Sequence, residues 1–226
     1  MGEAIALTSG GDGFVFGAYR AAPDDARRGG LVLIQEIFGV TGHIRDLADG
    51  FAGDGYETLA PSLYDRRAPG FSADYDGEGV KRGRALSEAT PWDEVAADLQ
   101  AAIDTLARPV FAVGYCWGGT AAWLAACRCT SLSAASSFYG RRIPELLSET
   151  PRVPIILHFG RSDTSIPPAT VEAIAAAHPE LPIHLYDAGH GFVSDRRVDH
   201  RPDAARLARL RTLQLFANNS GGRAEM

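Results

Sequence analysis

The run Val110–Gly119, VFAVGYCWGG, limits what this chain can fold into more than any other stretch. Its first part is apolar and β-prone, as in a strand covered on both faces. The segment from Trp117 to about Ala126 is rich in small residues at helical spacing. Between them stands Gly114-Tyr115-Cys116-Trp117-Gly118. A strand must therefore become a helix across a turn of almost no length. Glycines suit that turn because its backbone is strained and because strand and helix approach too closely for larger side chains. Such a junction belongs to a parallel sheet with helices packed on it.

The rest of the sequence agrees. AIALTS, FVFGAYRA, LVLIQEIFG, YETLAPSLY, PVFAVGY, LSAASSFYG, VPIILHFG and PIHLYDAG read as strands, and Leu31–Ile34 is apolar without interruption. Helical spacing is predicted from His43 to the following Gly-rich turn, from about Pro91 to Ala107, near Pro168–His178, and from about Pro202 to Phe216. From Asp65 to about Thr90 periodicity is weak, which predicts a surface excursion with one helix. The expected fold is α/β: a mostly parallel central sheet with helices on both faces, forming a single domain over residues 1–226. Residues 218–226 read as a polar, mobile tail.

The formal net charge is -6 and the sequence pI about 5.5. Nucleic-acid and anionic-membrane partners both require a basic face, so neither is expected. No apolar run is long enough to span a bilayer, and MGEAIALTSG lacks the basic start and apolar core of an export signal. These features predict a soluble, cytoplasmic protein. Its three cysteines, Cys116, Cys127 and Cys129, form no disulfide framework. Cys127 and Cys129 read as buried thiols at a helix end, and no metal-ligand pair or cofactor motif is present.

Cys116 occupies the position at which a strand-to-helix elbow presents a nucleophile, at the positive end of the following helix, which favours thiolate. That arrangement demands an acid and then a histidine, each just after a later strand. Asp163 follows the strand ending near Gly160, and His190 follows the strand ending near Tyr186. Asp187 is a rival acid, but it lies on the histidine's own loop, so Asp163 is preferred. Glu36, directly after the buried strand, needs something to hold its charge or an outlet to solvent. The same loop supplies one oxyanion-hole amide in this topology and the residue after the nucleophile supplies the other, which assigns Ile37 N–H and Trp117 N–H. The remaining histidines read as a helix start (His43), strand interiors (His158 and His184) and polar surroundings (His178 and His200).

Together QEIFGV, GYCWGG, GRSDTSIP and GHGF resemble the dienelactone hydrolase family of the α/β-hydrolase fold, in order and register from about Leu31 to Phe216. The resemblance implies a Cys-Asp-His triad: Cys116 as nucleophile, His190 as base and then acid, and Asp163 orienting His190. It further implies that Glu36 contacts the resting thiol and helps deprotonate it when substrate arrives. Lactone-specific members grip a substrate carboxylate with tyrosine and arginine side chains, one arginine lying four residues after the histidine; here that position is Ser194. Arg82, Arg84 and Arg196 are the candidate substitutes, with Arg197 close by. The implied activity is hydrolysis of a small-molecule ester-type bond, an enol lactone above all, by a monomer, with a dimer as the other state. A general carboxylesterase or thioesterase and a non-catalytic ligand-binding relative are the alternatives.

Overall fold

The computed structural model describes residues 2–221. Eight strands, β1 (Glu3–Thr8), β2 (Val15–Ala21), β3 (Gly29–Ile34), β4 (Tyr56–Pro61), β5 (Val110–Tyr115), β6 (Ala134–Phe138), β7 (Ile155–Gly160) and β8 (Ile183–Tyr186), form one sheet. Its spatial order is β1-β2-β4-β3-β5-β6-β7-β8. The first two strands run antiparallel to their neighbours, and every pairing from β4 to β8 is parallel. β3 and β5 are buried at every position, which explains their unbroken apolar sequence.

Helices α1 (Gly42–Gly53), α2 (Gly77–Ala89), α3 (Trp92–Thr105), α4 (Trp117–Arg128), α5 (Pro168–Ala177) and α6 (Pro202–Asn218) complete the fold. α1 starts on Thr41, whose hydroxyl accepts the Ile44 N–H, and α2 starts on Asp76, whose carboxylate accepts the Gly79 N–H. α1 and α6 meet on one face, where Arg209 pairs with Asp54 at 2.7 Å and lies over the Phe51 ring. α6 also stacks Phe216 on Phe111 of β5, with ring centroids 4.4 Å apart. α3 and α4 pack together on the opposite face, and every residue of α4 except Arg128 is buried. Its alanines and glycines let it lie close against β5 and β6, so the start of α4 is fixed from several sides.

The excursion contains one helix, α2, despite its weak periodicity. A short 3-10 turn at Ile143–Leu146 between β6 and β7 has no clear counterpart in the sequence pattern; the Thr120 hydroxyl of α4 holds its entry by accepting the Arg142 N–H at 3.1 Å. The expected tail begins too early, because Asn218 is the last residue of α6, and residues 222–226 lie outside the described residues. Among the described residues no helix is long and apolar enough to cross a membrane.

Candidate active site

Cys116 joins β5 to α4 with φ 56° and ψ -116°, a conformation that a side chain adopts only when its surroundings enforce it. The enforcement is visible. The Cys116 N–H donates to the Phe138 carbonyl at 3.0 Å, and the flanking glycines sit where a Cβ would collide: Gly114 with the Gly118 carbonyl, and Gly118 with the carbonyls of Ile34 and Gln35. The elbow is thus wedged between the ends of β3, β5 and β6.

Strand ends bring the other groups to it. His190 Nε2 lies 3.2 Å from Cys116 Sγ, and His190 Nδ1 lies 2.7 Å from Asp163 Oδ2. The second oxygen, Asp163 Oδ1, accepts the N–H groups of Ser165 at 2.8 Å and Ile166 at 3.1 Å, which leaves Oδ2 for the imidazole. Asp187, the rival acid, is turned to solvent and pairs with Arg161. Burial disfavours a charged His190, but the Cys116 sulfur and the Asp163 carboxylate outweigh it and hold its pKa up to about 10.

Ile37 and Trp117 line one cavity of about 240 Å³ together with Cys116 and His190. Among the described residues, neither amide N–H of these two donates a hydrogen bond within the chain. Trp117 is braced by Trp92, stacked at 5.8 Å, and by Tyr64 at 4.9 Å. α2 forms the facing wall with Val80, Arg84, Ser87 and Glu88. Gly83 lets α2 lie directly on the Ile37 carbonyl, where any Cβ would clash. A thiol, an imidazole and the residues of two unengaged amides thus line the same space, an arrangement that could support acyl transfer.

The dienelactone hydrolase family model matches residues 16–220. The chain belongs to the dienelactone hydrolase family. It is 36% identical over 208 residues to a putative carboxymethylenebutenolidase of Synechocystis, an alignment covering 82% of this chain and 84% of that protein. It is 32% identical over 219 residues to a carboxymethylenebutenolidase of Pseudomonas putida, covering 91% and 92%. Its fold matches a crystal structure of a putative dienelactone hydrolase from Klebsiella pneumoniae with TM-score 0.82 and 29% identity, covering 96% of this chain and 99% of that one. These likenesses make it an α/β-hydrolase acting on carboxylic-ester bonds.

Against the features expected of a dienelactone hydrolase, three placements differ. Glu36 is buried as anticipated, with 1% exposure, but it does not bond the thiol: Glu36 Oε2 accepts a 2.6 Å hydrogen bond from the Tyr75 hydroxyl, and the sulfur is engaged by His190. Ser194 is fully buried rather than open to a ligand. Of the candidate arginines only Arg84 reaches the cavity. Arg82 lies over the Phe71 ring at 5.1 Å, and Arg196 turns to Asp46 and Asp195 on the surface, so both are corrected to outer positions.

The cavity's other arginines are Arg197, Arg141 and Arg142. Arg142 is spoken for: it pairs with Glu145 at 2.8 Å and covers Trp92. Arg141 and Arg142 follow β6 without any helical or strand pattern, so no sequence signal marked them. His178 is buried edge-on against Trp123, while its ring nitrogens keep polar neighbours in Glu180 at 3.4 Å and the Leu147 carbonyl at 3.3 Å. Cys127 and Cys129 are buried, and burial pushes both thiols up to about 12, which leaves Cys116 as the reactive one.

Proposed function

We propose that this protein hydrolyses an enol lactone, or a similarly activated ester, through an acyl-enzyme on Cys116. The observation that carries the reading is the 3.2 Å approach of His190 Nε2 to Cys116 Sγ with Asp163 behind it.

The thiolate of Cys116 attacks the carbonyl carbon and forms the C–S bond, while Ile37 N–H and Trp117 N–H hold the resulting oxyanion. Collapse of that adduct breaks the ring C–O bond. An enolate is a good leaving group, and the proton on His190 completes its departure. His190, now neutral, takes a proton from water; the hydroxide attacks the thioester, sulfur leaves, and the acid is released. Cysteine suits this substrate, because a thiolate attacks activated carbonyls well but expels an ordinary alkoxide poorly. A carboxylate on the substrate would meet Arg84, Arg141 and Arg197, which make no ion pair among the described residues. The same reading takes the enzyme as a cytoplasmic monomer, which gel filtration checks for the second point.

The test follows the ultraviolet absorbance of a dienelactone with purified enzyme, beside Cys116→Ala and an aryl acetate control. Rapid loss that requires Cys116, with little aryl acetate turnover, is expected. Retained activity in Cys116→Ala ends the proposal. A general carboxylesterase or thioesterase is the second reading, favoured by Ser194 at the position where lactone-specific members carry an arginine, and aryl acetate turnover without lactone turnover selects it.

A further inference from the structure

The excursion meets the catalytic groups most intimately through a tyrosine. The Tyr75 hydroxyl donates to Glu36 Oε2 at 2.6 Å, while Glu36 Oε1 has no partner among the described residues. A carboxylate this buried depends heavily on each donor it has, so one short charge-assisted bond decides where it points. Tyr75 is itself fixed. Its ring packs on Phe38 at 4.3 Å and edge-on to His43 at 6.3 Å, and its hydroxyl lies 3.2 Å from Thr41 Oγ1.

The backbone reinforces the contact. Gly39 bridges to Ser72, and the Ala73 N–H donates to the Phe38 carbonyl at 3.0 Å. The segment that carries Tyr75 therefore runs beside the loop Glu36–Gly39, and Ile37 is bracketed between the two ties. The titratable groups acting with Glu36 come from several elements: Tyr75 from the excursion, His43 from α1, Tyr115 from β5, and Tyr139 after β6, which also senses Cys116. Burial favours the uncharged form of each of the three tyrosines and of His43.

We propose that Tyr75 is a positioning residue that pins the Glu36 carboxylate away from Cys116 and steadies the Ile37 amide beside it. The resting sulfur then keeps His190 as its one partner, and Glu36 reaches it only when the Tyr75 bond is given up. This inference rests on the reading of Cys116 as nucleophile.

Tyr75→Phe tests it, since the phenyl ring keeps its packing on Phe38 and only the hydroxyl is lost. With dienelactone as substrate, kcat should fall about tenfold while KM changes less than about twofold. The pH dependence of Cys116 alkylation by iodoacetamide should acquire a second step, as the Glu36 carboxyl released by Tyr75 comes to face the sulfur. In a Glu36→Gln background the same substitution should alter kcat less than about twofold and add no step. An equal loss in both backgrounds overturns the proposal, as does an unchanged kcat with a single-step profile in Tyr75→Phe; circular dichroism and the thermal midpoint confirm that each variant is folded. Turnover surviving in Cys116→Ala would sink the nucleophile reading itself, whereas an inactive Cys116→Ala with an additive cycle would sink the Tyr75 proposal alone.

Discussion

His190 bridges Asp163 and Cys116, with Nδ1 2.7 Å from the carboxylate and Nε2 3.2 Å from the sulfur. Despite burial, the two neighbours keep its proton in place up to about pH 10. Its pKa is raised on folding, so this contribution to stability is complete below the ordinary histidine value of about 6.5 and is lost as pH rises through about 10. Alkylation of Cys116 by iodoacetamide at pH 7.5 should slow about tenfold or more in His190→Ala, which removes the partner 3.2 Å from the sulfur. An unchanged rate would deny His190 its hold on the thiol.

Asp163→Asn should fold normally, because the amide oxygen can still accept the N–H groups of Ser165 and Ile166. It should nonetheless lower kcat about a thousandfold, since the neutral imidazole loses the partner that fixes its tautomer and the imidazolium loses its counter-charge. Steady-state kinetics beside a thermal melt separate the two effects; a loss below about tenfold would deny Asp163 its role.

Gly83→Ala places a methyl group against the Ile37 carbonyl, and either α2 or the loop must give way. Overpacking of this sort destabilises by about 1–3 kcal/mol. Displacement of the Ile37 N–H should also reduce kcat about tenfold or more. Urea unfolding and turnover measured on the same preparation report both consequences.

Arg197 lines the cavity and lies folded over Gly191, which has φ 75° and no room for a Cβ. Arg197→Met should raise KM for a lactone bearing a carboxylate about tenfold and leave a neutral aryl acetate within about twofold. Equal effects on the two substrates would remove this arginine from substrate binding.

His158, fully buried in β7, has Nδ1 2.8 Å from the Tyr186 hydroxyl, and burial, helped by His184 and Arg211, keeps its pKa well below the usual histidine value. Its folded-state pKa is depressed, so the stability it confers is present above about pH 6.5 and is lost as pH falls below that value. The slope approaches about 1.4 kcal/mol per pH unit for one proton. His43 and His184, also lowered, add to the same loss, whereas the His190 contribution is already complete in this range. Thermal midpoints should fall between about pH 7 and 5, and His158→Asn should flatten that decline.

Much of this site is written in short local patterns. Cys116 between its glycines, and Asp163 and His190 each just beyond a strand, are legible because strand ends in a parallel sheet gather on one edge. The arginines that line the cavity are legible only in part. Arg82 and Arg84 are two residues apart on α2, and a helix turns successive side chains by about 100°, so only the packing of α2 on Ile37 decided that Arg84 faces the cavity. Arg196 and Arg197 are adjacent on a loop, and the fold of that loop over Gly191 separates their directions.

The sequence by itself determined the sheet, the elbow and the order of the candidate catalytic groups, since these follow from apolar period, glycine placement and succession along the chain. Order along the chain favoured Asp163 as the acid that meets His190, whereas tertiary structure alone decided where Glu36 points and which arginines line the cavity. Asp163 and Asp187 are the same chemical group, and only the packing of two loops buries one and leaves the other in water. Tyr75 sits in the weakly patterned stretch FSADYDG, 39 residues from the carboxylate it binds. A contact of that range comes from the meeting of two loops, for which no local period exists.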